Sequence, residues 1–433
     1  MLVSSFLIQC EKDDLIVVDI SDNKFFKALI DQGVDLNGDG VISAVEAEIV
    51  TSLDLRNDSI QDMTGIEAFV NLDSLRCGDN FLVELDLSDN TSLIFLDCQF
   101  NDLNRLDVSD NIALEVLNCR YNQLSNLDIT DNTNLVFLEC SGNQLNHLDI
   151  SNNTVLETLI CEYCSLPSLD VSINTALLHL DFRGNQLSSV DLSNNTALVS
   201  LNYGSNQFSN LDISSNTALE ELICFENPLT DLDLSNNTAL TTLLCEFTPL
   251  TSLNVSNNTA LKVLYCDYNQ LTHIDLANNP DLSELHCGYN QITDLDLSNN
   301  LSLISLGCHA NQLSTLNVSV CASLETIWCG GNFLTGLNLS DNTDLQYLFC
   351  DSNQLATLDI SSNTALKGLY CGANLLTSLD ISNNTALEFL SLEDMPSLYE
   401  VCVWEMPFPP NGFTLYDYNC PNVYYTTECT SNR

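Results

Sequence analysis

From residue 72 to residue 386 the chain repeats itself every 21 residues, fifteen times and without an insertion, in units that begin at Leu72, Leu93, Leu114 and so on to Leu366. Nothing else in the 433 residues constrains the fold as tightly. A short period kept in register means one small structural unit stacked on copies of itself. The stretch LKVLYCDYNQLTHIDLANNPD, residues 261 to 281, is one such unit. It divides into ten residues of the type LxxLxCxxNQ and eleven of the type LxxLDISNNTA. Each half alternates apolar and polar residues over four or five positions and then meets an Asn-rich turn, the pattern of a short strand with one buried face. Neither half has room for a three-turn helix. The expected architecture is a coil with a short parallel strand on each of two sides, each coil burying its leucines only against its neighbours.

The fixed letters have physical tasks. An asparagine recurs at Asn80, Asn101, Asn122, Asn143, Asn185, Asn206, Asn227, Asn269, Asn290 and onward to Asn374, where the chain turns inward. Its amide can satisfy turn backbone groups that burial would otherwise leave unpaired. Cys164 and Thr248 interrupt this column, and Cys321 interrupts the matching column of the other half, where Asn90, Asn111 and Asn132 lie. Of 19 cysteines, thirteen fall in one column, Cys77 to Cys161 and Cys224 to Cys371, with Phe182 and Tyr203 at the same position in between. A position that accepts Cys, Phe and Tyr is used for apolar volume rather than for a thiolate metal site. Cys402, Cys420 and Cys429 lie beyond the repeats, where one disulfide among them would close a terminal cap; the pairing is not deducible.

These residues resemble the leucine-rich repeat family, most closely its bacterial 21-residue subclass with nested ten-plus-eleven periodicity, sometimes called IRREKO repeats. The resemblance covers about three quarters of the chain. It implies a right-handed, β-rich leucine-rich repeat solenoid used for binding, and it names no ligand.

Before the repeats, DLNGDGVISAVE (residues 35–46) fits the pattern D-x-[DN]-x-[DN]-G-x5-E. Asp35, Asn37 and Asp39 offer side-chain oxygens, Gly40 the sharp turn, Val41 a carbonyl, Ser43 a water-mediated contact and Glu46 a bidentate carboxylate. Calcium is the ion this set suits, and FFKALIDQG and AVEAEIV are the predicted flanking helices. The unit resembles an EF-hand or dockerin-type loop, within a small helical N-terminal cap. The first ten residues, MLVSSFLIQC, resemble the end of a bacterial lipoprotein signal peptide with Cys10 as the acylated residue, and EKDD behind it is similar to a surface-export tag. The resulting division is a leader (1–10), a cap with the EF-hand-like loop (11–49), a transitional repeat (50–71), fifteen repeats (72–386) and an aromatic, Pro-rich C-terminal cap (387–433).

Function is sought in what varies. With 59 acidic against 11 basic side chains and a formal net charge of −48, the surface repels nucleic acid and anionic lipid. No apolar run approaches a transmembrane length. No HExxH, nucleophile elbow or phosphate loop occurs around the five histidines, so the chain reads as a non-enzyme. In the second half the outward position is nearly always Asp, from Asp86 to Asp233 without a break, with Asn254, Asn317 and Asn338 among the later units. Carboxylates about 5 Å apart repel by about 0.8 kcal/mol even in water, so this ladder must gain something: solubility, edge protection or weak cation sites. The first-half outward column instead changes character, reaching Ile223, Leu244, Tyr265, His286, Trp328, Phe349 and Tyr370. Such a strip marks an interaction site. The expected protein is a cell-surface lipoprotein of an outer membrane, or a secreted protein, that binds a protein through this strip; a polysaccharide is the alternative ligand.

Overall fold

Three-residue strands stacked one coil apart build the molecule. The computed structural model describes residues 16–429, so Cys10 and the leader lie outside the described residues. The chain divides into two units, residues 1–190 and 191–433, each considered by itself. In the first unit, seven described strands from Ser52–Asp54 and Ser74–Arg76 to His179–Asp181 pair in parallel, leucine beside leucine. In the second, eleven run from Ser200–Asn202 through Val263–Tyr265 and Gly368–Tyr370 to Phe389–Ser391 and Thr414–Tyr416. The expected parallel-stranded solenoid with little helix is therefore what the chain forms. No helix among the described residues is long and apolar enough to cross a membrane.

Each central leucine is buried and its strand neighbours are mostly half-exposed, as period-two alternation requires. One coil shows the core: Leu261, Leu264, Cys266, Leu271, Ile274 and Leu276 are at most 2% exposed. All thirteen column cysteines are fully buried, as are Phe182 and Tyr203, so the column is packing volume. Burial also pushes the thiols well above their usual range, Cys224 and Cys329 to about 12, which leaves them protonated and poor metal ligands.

The asparagine columns do the backbone's bonding. Asn332 Nδ2 donates to Cys308 O (3.0 Å) and Cys329 O (3.1 Å), while its Oδ1 accepts the Leu313 N–H (3.0 Å). Where the column is interrupted, the substitute keeps a donor: Thr248 Oγ1 donates toward Cys245 O (2.9 Å) and Cys164 Sγ toward Cys140 O (3.2 Å). The second column behaves alike, Asn258 Nδ2 bridging Leu234 O and Asn237 O at 3.2 and 2.8 Å. Between strand and asparagine one residue per coil takes positive φ, from Asp79 (56°) through Tyr268 (54°) to Asp394 (57°).

On the second side the ladder is sparser than a strand on every coil. Its described pairing is the bridges Asp107–Asp128 and Asn317–Asn338, with regular strands at Ser378–Asp380, Glu400–Cys402 and Tyr424–Thr426. The reason is local. The outward Asp or Asn turns its Oδ1 back onto the N–H two residues on, an Asx-turn that bends the chain away from an extended run. Beyond residue 386 the coils continue on wider spacings, Phe389 pairing with Thr414. Cys402 and Cys429 form the disulfide, and Cys420 stays a buried thiol.

At the other end, helix α1 (Asn23–Asp31) and the five-residue α2 (Ala44–Glu48) flank the loop. Asp22 caps α1 and also accepts the Gln61 N–H at 2.7 Å. Gln32 donates to Asp54 O and accepts the Asp54 N–H, imitating the strand that the sheet edge lacks.

Candidate functional site

Strand register brings the candidate residues into one file. Leu244, Tyr265 and His286 stand side by side, as do Trp328, Phe349 and Tyr370, with Gly307 between the two groups. Ile223 precedes Leu244 in the same register. All seven are half-buried. Their rings lie on one another: Tyr265 on His286 (4.5 Å between centroids), Trp328 on Phe349 (5.6 Å) and Phe349 on Tyr370 (4.2 Å). His286 reaches across the space that Gly307 leaves to meet Trp328 edge-on at 5.3 Å. The ring contacts run on into Phe389 (4.3 Å from Tyr370), which stands in the neighbouring column beside Gly368, and into Tyr416, which the 21-residue period could not align because the spacing widens to 25 there. Stacked rings cover each other's faces and present edges, so the surface is a continuous apolar ridge with few free ring faces.

A second row of rings lies beside this file. Phe247, Tyr268 and Tyr289 are 51%, 43% and 45% exposed, stacked at 4.2 and 4.1 Å, with His309 edge-on to Tyr289 at 5.0 Å. Each sits at the positive-φ position of its coil, where other coils use Gly142, Gly184, Gly331, Ser205 or Asp394. The fold accepts small or polar residues there; a bulky ring in that conformation costs about 1–2 kcal/mol. A groove of about 690 Å³ runs beside this row, lined by Thr248, Pro249, Gln270 and Ala310.

Next to the row stand Glu246 and Asp267. Burial pushes the Glu246 carboxyl up to about 7, and Asp267 is raised by burial too, against the Gly288 N–H that it accepts at 2.6 Å. Glu246 Oε2 is buried and accepts no hydrogen bond. Burial, with the Glu284 carboxylate that its hydroxyl meets, raises Tyr265 to about 12; burial lowers His286, whose Nε2 lies 3.2 Å from Ser305 Oγ.

The Asp ladder has a structural explanation. Asp233 Oδ1 accepts the Ser235 N–H at 2.9 Å, and Asp86 accepts both the N–H and the hydroxyl of Ser88. Asn254, Asn317 and Asn338 accept the same bond at 3.0 to 3.1 Å. What the position requires is an oxygen, with or without charge. The serine hydroxyls and amides hold these carboxyls below their usual range.

In the N-terminal loop, Gly38 and Gly40 make the turn at φ +72° and +81°. Asp35 accepts the Gly38 and Gly40 N–H groups, Asn37 that of Asp39, and Asp39 that of Val41. Glu46 holds both ends of the loop, accepting Leu36 N–H (3.0 Å) on one oxygen and the Ser43 N–H and hydroxyl on the other, as the N3 residue of a capping box. Those bonds hold its carboxyl below the ordinary value. The donor set is all oxygen on glycine-permitted turns and fits a hard cation. Its carboxylates are spread over loop amides: the described residues gather three metal-ligand groups within 4.8 Å only at Asp380, Cys402 and Cys429, where both sulfurs are in the disulfide.

No protein-family model matches the chain. Over 66 residues it is 39% identical to internalin J of Listeria monocytogenes, a match spanning 15% of this chain and only 7% of that protein. The functional domain of InlJ from Listeria monocytogenes, whose structure includes a cysteine ladder, is similar at a TM-score of 0.55 and 32% identity, covering 84% of this chain and 70% of that one. A leucine-rich repeat protein of Leptospira interrogans shares the fold at a TM-score of 0.68 and 23% identity, over 82% and 92% of the two chains. With fifteen repeats in register, a buried cysteine column, a parallel ladder of one strand per coil and 32% identity to that InlJ domain over 84% of this chain, the chain belongs to the leucine-rich repeat family as an internalin-like bacterial protein of 21-residue repeats.

Proposed function

We propose that the chain is a non-enzymatic binding protein, exposed at the cell surface or secreted, whose partner is a protein seated on the ridge from Ile223 to Tyr370. One observation carries this reading: the outward strand column, which the fold leaves free to vary, is filled in the second unit with rings zipped at 4.2 to 5.6 Å. Their covered faces suit the edge and side-chain contacts of a protein interface better than sugar stacking, which needs an open ring face. The test screens the purified chain, in calcium, against surface proteins and polysaccharides beside a variant with Tyr265, Trp328, Phe349 and Tyr370 changed to Ala. A protein ligand lost only in the folded variant supports the proposal; a ligand held equally by both sinks it, and a polysaccharide ligand reverses the partner class.

The same reading gives the cap a calcium ion held by Asp35, Asn37, Asp39, Val41, Ser43 and Glu46. The ion would supply charge neutralisation to an acidic loop and rigidify the cap. Glu46 would exchange its hold on Ser43 for the metal. Calorimetric titration of the chain, with Asp35→Asn plus Glu46→Gln as the control, decides it: heat of binding equal in both chains refutes the assignment.

A further inference from the structure

The molecule itself shows a filled version of the exposed row in its second unit. In the first unit, Phe100 and Tyr121 stack at 4.6 Å at the same positive-φ positions. There Arg120 spans both rings, its guanidinium carbon 5.3 and 5.9 Å from their centroids. Its Nε donates to Gln99 Oε1 at 2.6 Å, and Glu139 lies 3.6 Å from Nη1. Arg183 lies over Tyr163 in the same way, at 5.5 Å. The Phe100–Tyr121 pair is thus accompanied by a guanidinium held by oxygen acceptors.

The 21-residue register transfers this arrangement residue by residue. Phe100 and Tyr121 correspond to Tyr268 and Tyr289, Gln99 to Asp267, and Arg120 to Gly288. The second unit therefore keeps the rings and replaces the neutral acceptor by a carboxylate. It deletes the cation. One coil on, the Arg120 column holds His309, edge-on to Tyr289 at 5.0 Å; the unit's lysines and arginines are Lys262, Lys367 and Arg433, and among the described residues no guanidinium or ammonium lies over Phe247, Tyr268 or Tyr289. A second carboxylate, Glu246, stands beside Phe247 with one oxygen buried and unbonded. The protein as a whole carries a formal charge of −48, which favours a basic partner on approach.

We infer that Phe247, Tyr268 and Tyr289, with Glu246 and Asp267 beside them, take an arginine side chain from a basic segment of a protein partner, completing in trans the arrangement that Arg120 completes in cis. This rests on the reading of the chain as a protein binder, and adds the chemistry of what is bound and a surface beside the ridge. Guanidinium suits the place because it stacks on rings and bonds carboxylate in its own plane.

The probe is a fluorescent Gly/Ser peptide carrying spaced arginines, compared with the same peptide carrying citrulline, its neutral isostere. Fluorescence anisotropy with the whole chain should show the citrulline peptide at least about tenfold weaker. Glu246→Gln plus Asp267→Asn, and separately Tyr268→Leu plus Tyr289→Leu, should each weaken the arginine peptide by about tenfold. On the unaltered chain, a photoreactive arginine peptide should crosslink within residues 246–289, a readout that needs no variant to fold. Equal affinity for arginine and citrulline, or crosslinks confined elsewhere, overturns the inference. Trp328→Ala plus Phe349→Ala, outside this row, separates it from the ridge proposal: peptide binding kept while partner binding is lost supports both. Peptide binding with no partner dependent on the ridge would leave this inference standing alone.

Discussion

Changing Asn332 to alanine should damage the solenoid more than the loss of any exposed residue. Asn332 is 4% exposed. Its removal leaves the Leu313 N–H, partnered at 3.0 Å, buried and unpaired, and takes one of two donors from Cys308 O and from Cys329 O, which keep the Asn311 and Asn353 amides at 3.1 and 3.0 Å. One orphaned N–H at roughly 1–3 kcal/mol and two lost second bonds at about 0.5 kcal/mol each give a cost of about 2 to 4 kcal/mol. Threonine should recover roughly 1 kcal/mol or more of this, because Thr248 fills the same column and donates to Cys245 O at 2.9 Å. A repeat array stores stability in nearest-neighbour terms and need not unfold as one, so a global midpoint alone is a poor readout. Native-state hydrogen exchange at the Leu313 amide reads the affected coil directly. Protection should fall sharply in Asn332→Ala and less in Asn332→Thr. Alanine within about 0.5 kcal/mol of the parent, or threonine no better than alanine, would refute the account of the column as a backbone-bonding ladder.

Four further outcomes follow from the structure. Asp233→Asn should lower the melting temperature only slightly while Asp233→Ala lowers it more, because the Ser235 N–H needs an oxygen and the charge only strengthens the bond. Since the ladder's carboxyls are held below their ordinary 3.8, the stability they add is present above that value and lost as pH falls through their folded values, seen as a melting temperature that drops below about pH 4. Glu246 has the opposite sign: its carboxyl is raised from 4.5 to about 7, so the folded chain binds the extra proton, and stability declines as pH rises across that window. Glu246→Gln should remove that decline, and melting curves at pH 5 and 8 that fall in parallel for both chains would contradict it. Replacing Cys402 and Cys429 with alanine opens a loop of 27 residues, worth about 3.5 kcal/mol in chain-entropy terms, and should loosen exchange at residues 400–426 while leaving coils such as 261–281 protected.

Much was legible before any coordinates because the constraints repeat. A residue that recurs at nearly every coil in a turn, as Asn332 does, or in an alternating core position, as Cys266 does, has its task set by period and chemistry. The turn between the two cap helices was equally local: Asp35 to Ser43 lie between α1 and α2, and Glu46 is in the first turn of α2. The Asp ladder was local too, since an Asp accepting from the residue two on is an Asx-turn, but its charge drew attention from its oxygen. The C-terminal segment was not legible as coils, because Phe389 and Thr414 pair across 25 residues and break the period.

By itself, then, the sequence determined the coil, its register, its buried columns and which positions were free to vary, since each depends on spacing along the chain. Only the tertiary structure decided what the free positions present. Whether a ring shows its face or its edge depends on the ring one coil away, as Phe349 and Tyr370 demonstrate, and a gap such as Gly307 can be bridged from His286 to Trp328. Only packing, likewise, selected Cys429 over Cys420 as the partner of Cys402, and left Phe247, Tyr268 and Tyr289 exposed beside unsatisfied carboxylate. Those outcomes join residues 20 or more positions apart through side-chain contact, and spacing sets which residues meet without setting how their side chains lie.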